Sequence, residues 1–141
     1  DDQGNLSGKR WLPLPDNHED KPVLFKNGHE AVLWPKVAAT VHTTLFKNSD
    51  GEKIGWFNKE FKYAAEDKDF FARLGLLGPI VYVPEVVSYY RRGHDSLTSK
   101  TLNVEYEQLK LFTIHLNKID KSNRRFIKSQ QKRLLIIRVS R

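Results

Sequence analysis

Three regimes of hydrophobic and polar positions follow one another along the chain. Up to about residue 35 the apolar pieces are short, Leu12 and Leu14, then Val23, Leu24 and Phe25. Gly4-Asn5, Ser7-Gly8, Pro13, Pro15, Pro22 and Asn27-Gly28 interrupt them, so the pattern predicts an irregular connection with brief extended pieces. Residues 37–46 (VAATVHTTLF) are rich in β-branched side chains and predict a strand. Asn48-Ser49-Asp50-Gly51 turns the chain, and residues 52–56 suit one helical turn before Phe57-Asn58.

A clearer helix follows. Asp67 and Asp69 lie where acidic side chains suit a helix start, Phe70, Leu74 and Leu77 fall on one face, and Gly78-Pro79 is a stop signal. Residues 80–90 (IVYVPEVVSYY) predict extended chain that Pro84 breaks or confines to an edge, with a polar loop at 91–96. From Val104 the pattern turns helical. Phe112, Leu116, Ile119, Asn123, Ile127, Gln130, Leu134 and Ile137 form one stripe, and Lys118, Lys121, Arg125, Lys128 and Lys132 form a row opposite. This is a basic amphipathic helix, or two joined near Ser122-Asn123.

Charge divides the chain in the same way. Residues 1–100 hold 14 basic and 14 acidic side chains, and residues 101–141 hold 10 and 3, so the net +7 belongs to the last segment. A charge-balanced body over 1–100 and a basic helical extension over 101–141 is the expected organisation. Zero Cys removes disulfide and thiolate-metal chemistry and leaves His, Asp and Glu as metal ligands. No apolar run reaches the roughly 18–20 residues of a membrane span. A chain that opens at Asp1 with no Met is expected to be a fragment or a processed piece.

The segment 55–96 is the most specific. It carries Gly55-Trp56-Phe57-Asn58, then Glu66-Asp67-Lys68-Asp69-Phe70, then Ile80-Val81-Tyr82-Val83-Pro84, and finally Tyr90-Arg91-Arg92-Gly93-His94-Asp95-Ser96. In this order the motifs resemble the C-terminal half of family 2 glycosyltransferases, inverting enzymes of the GT-A fold that use nucleotide-sugar donors. The resemblance covers about residues 41–99. It implies an α/β, Rossmann-like domain whose N-terminal nucleotide-binding half lies outside this chain, followed by the helical extension. It also implies that Asp67, within the Glu66-Asp67 pair, is the catalytic base. Arg91, Arg92 and His94 would bind the donor diphosphate, and Trp56 and Phe57 would offer faces to a sugar ring. A divalent metal, Mg or Mn, is expected in the intact enzyme, with its main ligands outside this chain and His94 as the one candidate here. Asp1-Asp2 receives no metal role. The implied acceptor is a saccharide or a lipid-linked hydroxyl, as in cell-envelope polysaccharide synthesis. The implied location is cytoplasmic, peripheral at the inner membrane face.

The residues also support plainer readings. Composition alone makes Asp67 a helix-start carboxylate that complements the dipole. Asp69 lies about 200° further round the helix and reads as a cap or an ion-pair partner. Glu66 either contacts the acceptor or braces the loop. Arg91 and Arg92 alternate, so one faces the site and one faces solvent. His42 belongs with the strand, and Trp11, Trp34, Phe70 and Phe71 read as core or subunit-contact residues rather than sugar platforms. The basic row reads first as a solvated face and second as an anionic-membrane contact over 118–141. Nucleic acid ranks third, for want of a stacking platform. The rival to an enzyme is therefore a non-catalytic basic binding module for nucleic acid or an anionic membrane surface.

Overall fold

The computed structural model describes residues 21–34, 37, 39–89, 101–121, 124, 125, 127–129, 131 and 132. Strand β1 (Val23–Phe25) pairs antiparallel with β2 (Ile80–Tyr82), setting Val23 opposite Tyr82, Leu24 opposite Val81 and Phe25 opposite Ile80. The two-residue period turns Leu24 and Val81 outward, where both are exposed, and leaves the flanking residues half-buried.

Among the described residues, three helices lie between the strands: α1 (Gly28–Leu33), α2 (Asn48–Ile54) and α3 (Glu66–Leu74). The fourth, α4 (Thr101–His115), continues into a 3-10 turn at Leu116–Lys118. Helix α1 starts where Asn27 accepts the Glu30 amide through its side chain at 3.1 Å. It is too short to stand alone, yet all six of its residues are buried, so its stability comes from packing. The close partner is α3. A Cβ on Gly75 would collide with the backbone of Gly28 and His29, and one on Gly28 would meet the Gly78 carbonyl at 2.6 Å. Two glycines thus let the start of α1 touch the end of α3, backbone to backbone.

The core joins Val32 and Leu33 of α1, Phe61 and Ala65 of the approach loop, and Phe70, Phe71 and Ala72 of α3. Leu111 and Phe112 of α4, with Ile119 and Ile127 beyond it, complete the same cluster. Trp34 packs against it, Phe70 and Phe71 lie within it, and Trp11 lies outside the described residues.

Several sequence expectations change. No strand forms over the described part of 37–46. A turn stands at Thr40–Thr43 instead, where Thr43 N–H donates to the Thr40 carbonyl at 3.1 Å and the two hydroxyls meet at 2.8 Å. Threonine hydroxyls that bond locally compete with a ladder. His42 is accordingly exposed at this turn. The supposed turn at 48–51 is the first half of α2, and the irregular N-terminal connection contains α1, the deepest-buried helix. Helix α3 ends at Leu74, before the Gly78-Pro79 signal, and Gly75 caps it at the α1 crossing. The C-terminal helical pattern breaks at Ile119, which is extended, and Arg124, Arg125 and the described residues of 127–132 are helical again. The five basic residues of the row are all exposed, and Phe112, Ile119 and Ile127 of the stripe are buried.

Candidate functional site

The N-terminus of α3 presents the carboxylate pair. Ala65 precedes it in the left-handed conformation, φ 68°, so the chain reverses sharply into the helix. Glu66 is exposed and Asp67 half-buried, with Asp67 Oδ1 accepting the Lys68 amide at 2.6 Å. No side chain caps the helix from Ala65; Asp67 accepts one first-turn amide, and Glu66 and Asp67 complement the dipole. Lys68 sits with its ammonium 5.2 Å from the Phe112 ring centre. Burial pushes the Lys68 amine below its ordinary value, and the neighbouring Asp67 carboxylate opposes that shift.

The approach to Ala65 is held from α4. Glu107 is buried, and its Oε1 accepts the Lys62 amide at 2.6 Å while Oε2 accepts those of Tyr63 and Ala64 at 2.8 and 2.6 Å. Burial raises the Glu107 carboxyl, yet the three amides outweigh it and hold the group below its ordinary value.

Behind the pair, Asp69 turns inward. Its Oδ1 meets His115 Nε2 at 2.9 Å, and His115 Nδ1 meets His29 Nε2 at 2.8 Å, all within the buried interior. The carboxylate accepts, so His115 Nε2 carries a proton. In a neutral ring Nδ1 then accepts, and His29 Nε2–H donates to it. Burial first, then His115 and Lys118, lower the His29 pKa from 6.5 to about 4. Burial also works to raise the Asp69 carboxyl, but bonds from His115 and Arg73 overcome it, and the group is held below its ordinary value.

Arg73 completes the chain and links it to the aromatics. Its Nε binds Asp69 Oδ2 at 2.8 Å, while its two terminal nitrogens donate to the carbonyls of Ile54 and Trp56 at 2.7 and 2.6 Å. Trp56 holds a positive φ of 60° just after the left-handed Gly55, and its ring lies so close to Gly51 that a Cβ there would come within 2.8 Å of it. Phe57 stacks on Phe70 with ring centres 4.3 Å apart, and Trp56 runs parallel to Phe70 at 6.4 Å. Phe70 lies one turn after Asp67 on the same helix.

Trp56 and Phe57 gather around Phe70, and Glu66 and Asp67 occupy the first turn of the same helix, all four at least partly open to solvent. Arg91, Arg92 and His94 lie outside the described residues. Asp69 is an ion-pair partner rather than a cap. His29, His115 and Glu107 went unremarked in the sequence, because a histidine or glutamate within a helical pattern reads as surface until its long-range partner is known. Arg73 at four residues from Asp69 was a legible pair. Among the described residues no three His, Asp or Glu side chains converge to hold a metal ion, and they do not fit one. Compared with family models, with curated proteins and with solved structures, the chain finds no match.

Proposed function

We propose that this chain is the acceptor-side part of an inverting glycosyltransferase, with Asp67 as general base. The carboxylate would take the proton of an acceptor hydroxyl as that oxygen attacks the anomeric carbon of a nucleotide-sugar. The bond from that carbon to the diphosphate oxygen breaks on the opposite face, so configuration inverts. An ionised carboxylate at a helix start is suited to this task, since the dipole favours its charge. Glu66 would contact the acceptor, and Trp56 and Phe57 would offer apolar faces to the sugar.

The observation that supports this reading most is the placement of Asp67: half-buried and solvent-accessible at the first turn of α3, while Asp69, two residues on, is consumed by Arg73 and His115. Asp67 accepts the Lys68 amide and stays partly open to solvent, and Asp69 is the anchor. Arg91, Arg92 and His94 complete the proposal as the diphosphate-binding loop, and a divalent metal would be held by residues beyond this chain.

The test uses the full-length protein and a panel of UDP-, GDP- and dTDP-sugars, with nucleoside diphosphate release measured against saccharide acceptors. Asp67→Asn should lower acceptor-dependent release by about a hundredfold or more while leaving donor binding within about twofold. Release at the wild-type rate would sink the base assignment. No release from any donor by the wild-type protein would sink the transferase reading and favour the basic binding module. That second reading draws on the exposed row of Lys118, Lys121, Arg125, Lys128 and Lys132.

A further inference from the structure

Lys62, Tyr63 and Ala64 point three successive amides at one side of the loop that enters α3. A loop of that form has no ladder partner for these donors and needs an anion in its concave side. Glu107 supplies it from α4, 43 to 45 residues later in the chain. Each oxygen is engaged, Oε1 by Lys62 and Oε2 by Tyr63 and Ala64. Lys110, one turn along α4, binds the Glu60 carboxylate at 2.8 Å and its carbonyl at 3.2 Å, so the same helix also grips the loop two residues upstream. Directly after the three amides come the left-handed Ala65 and then Glu66-Asp67, so whatever sets the direction of residues 62–64 sets the entry of α3.

We infer that Glu107 is a positioning residue for Asp67, an internal carboxylate that fixes the loop amides of 62–64 and through them the orientation of the proposed base. The role rests on the reading of Asp67 as that base. It gives α4 a task beyond packing: the catalytic end of α3 is held in register by a helix outside the motif-bearing segment. Glu107 touches no reacting atom, and its effect passes entirely through the backbone. A glutamine at 107 keeps the shape but faces one loop amide with its own N–H groups. An aspartate keeps the charge but falls one methylene short of the loop.

The experiment compares Glu107→Gln and Glu107→Asp with Leu111→Ala, a core truncation on the same helix, in the full-length protein. Amide hydrogen exchange is read at 62–64, and kcat and KM are read with the donor that supports nucleotide release, corrected for folded fraction. Glu107→Gln should speed exchange at 62–64 at least about tenfold and lower kcat about ten- to a hundredfold at unchanged donor KM. Glu107→Asp should recover part of both, and it carries the comparison if the glutamine variant does not fold. Leu111→Ala should lower the melting temperature yet leave loop exchange and corrected kcat near wild type. Unchanged exchange in Glu107→Gln overturns the latch itself. Faster exchange with unchanged kcat, where Asp67→Asn abolishes transfer, overturns the positioning role and leaves the transferase reading intact. Full transfer by Asp67→Asn overturns the base assignment and the positioning role with it, whatever the loop exchange shows.

Discussion

At the residue scale the Asp69–His115–His29 chain carries the strongest energetic consequences. A buried carboxylate is tolerable only while its partners neutralise it, and removing one partner from such a set costs about 3–5 kcal/mol. Asp69→Asn should therefore destabilise the protein by roughly 3 kcal/mol, measured as a fall in urea midpoint, because it strips Arg73 and His115 of their common anion. Acid should act on the same chain. His29 titrates near 6.5 when unfolded and about 4 when folded, so between those values the unfolded state binds more protons. Stability due to His29 is whole above pH 6.5 and declines as pH falls towards 4, by an order of roughly 3 kcal/mol. Asp69 and Glu107, both held below their ordinary values, add further loss at still lower pH. Urea titrations at pH 7.5, 5.5 and 4.5 should show the decline, and His29→Gln should flatten its upper part. A stability independent of pH from 7.5 to 4.5 would contradict the burial of a neutral His29.

At the element scale the decisive contact is α1 across the end of α3. It rests on Gly75, where any side chain would press on the backbone of Gly28 and His29, atoms that cannot step aside without moving α1. Gly75→Ala should cost about 1–3 kcal/mol through overpacking, read as a drop in thermal midpoint. Gly55 makes a useful contrast. Its φ is 75° and a Cβ there meets open space, so Gly55→Ala should cost only about 1 kcal/mol, through backbone conformation alone. Helix α3 itself was legible: acids at its start, an apolar face through Phe70 and Leu74, and an Arg73 placed to reach Asp69. Helix α1 was not, because six residues between turn signals carry too little periodicity, and the Asn27 cap is only one residue of signal. The expected strand at 37–46 failed for a matching reason. β-branched residues favour a sheet only where a partner exists, and β1 pairs with β2 instead.

For the whole molecule, the sharing of one core between the motif-bearing segment and α4 predicts how the chain responds to truncation. Ending the chain at residue 100 removes Leu111, Phe112, Ile119 and Ile127 from the cluster, together with the Glu107 and His115 anchors. Such a truncation should lose cooperative unfolding and bind hydrophobic dyes. The basic row is tested separately by vesicle sedimentation with anionic and neutral lipid. Ile127 is spent in the core, and Phe126 and Leu134 to Ile137 lie outside the described residues; the contribution of the basic row itself is electrostatic and should weaken in high salt. Equal, negligible binding to both lipids would retire a membrane role for residues 118–141.

The sequence by itself determined the local chemistry. It marked where acids begin α3, where Pro84 interrupts the extended chain, and where basic residues form a row. These are properties of neighbours within a few positions, and periodicity records them. Only the tertiary structure decided which buried partners Asp69 takes besides Arg73. The choice depends on His115, 46 residues from Asp69, and His29, 86 residues from His115. Only it decided that Glu107 grips the loop ahead of Glu66-Asp67, because a carboxylate and three amides far apart in sequence become partners only once α4 has packed. Burial makes those polar groups find each other, since an unpaired one in the core costs about 1–3 kcal/mol. No local pattern announces which will meet.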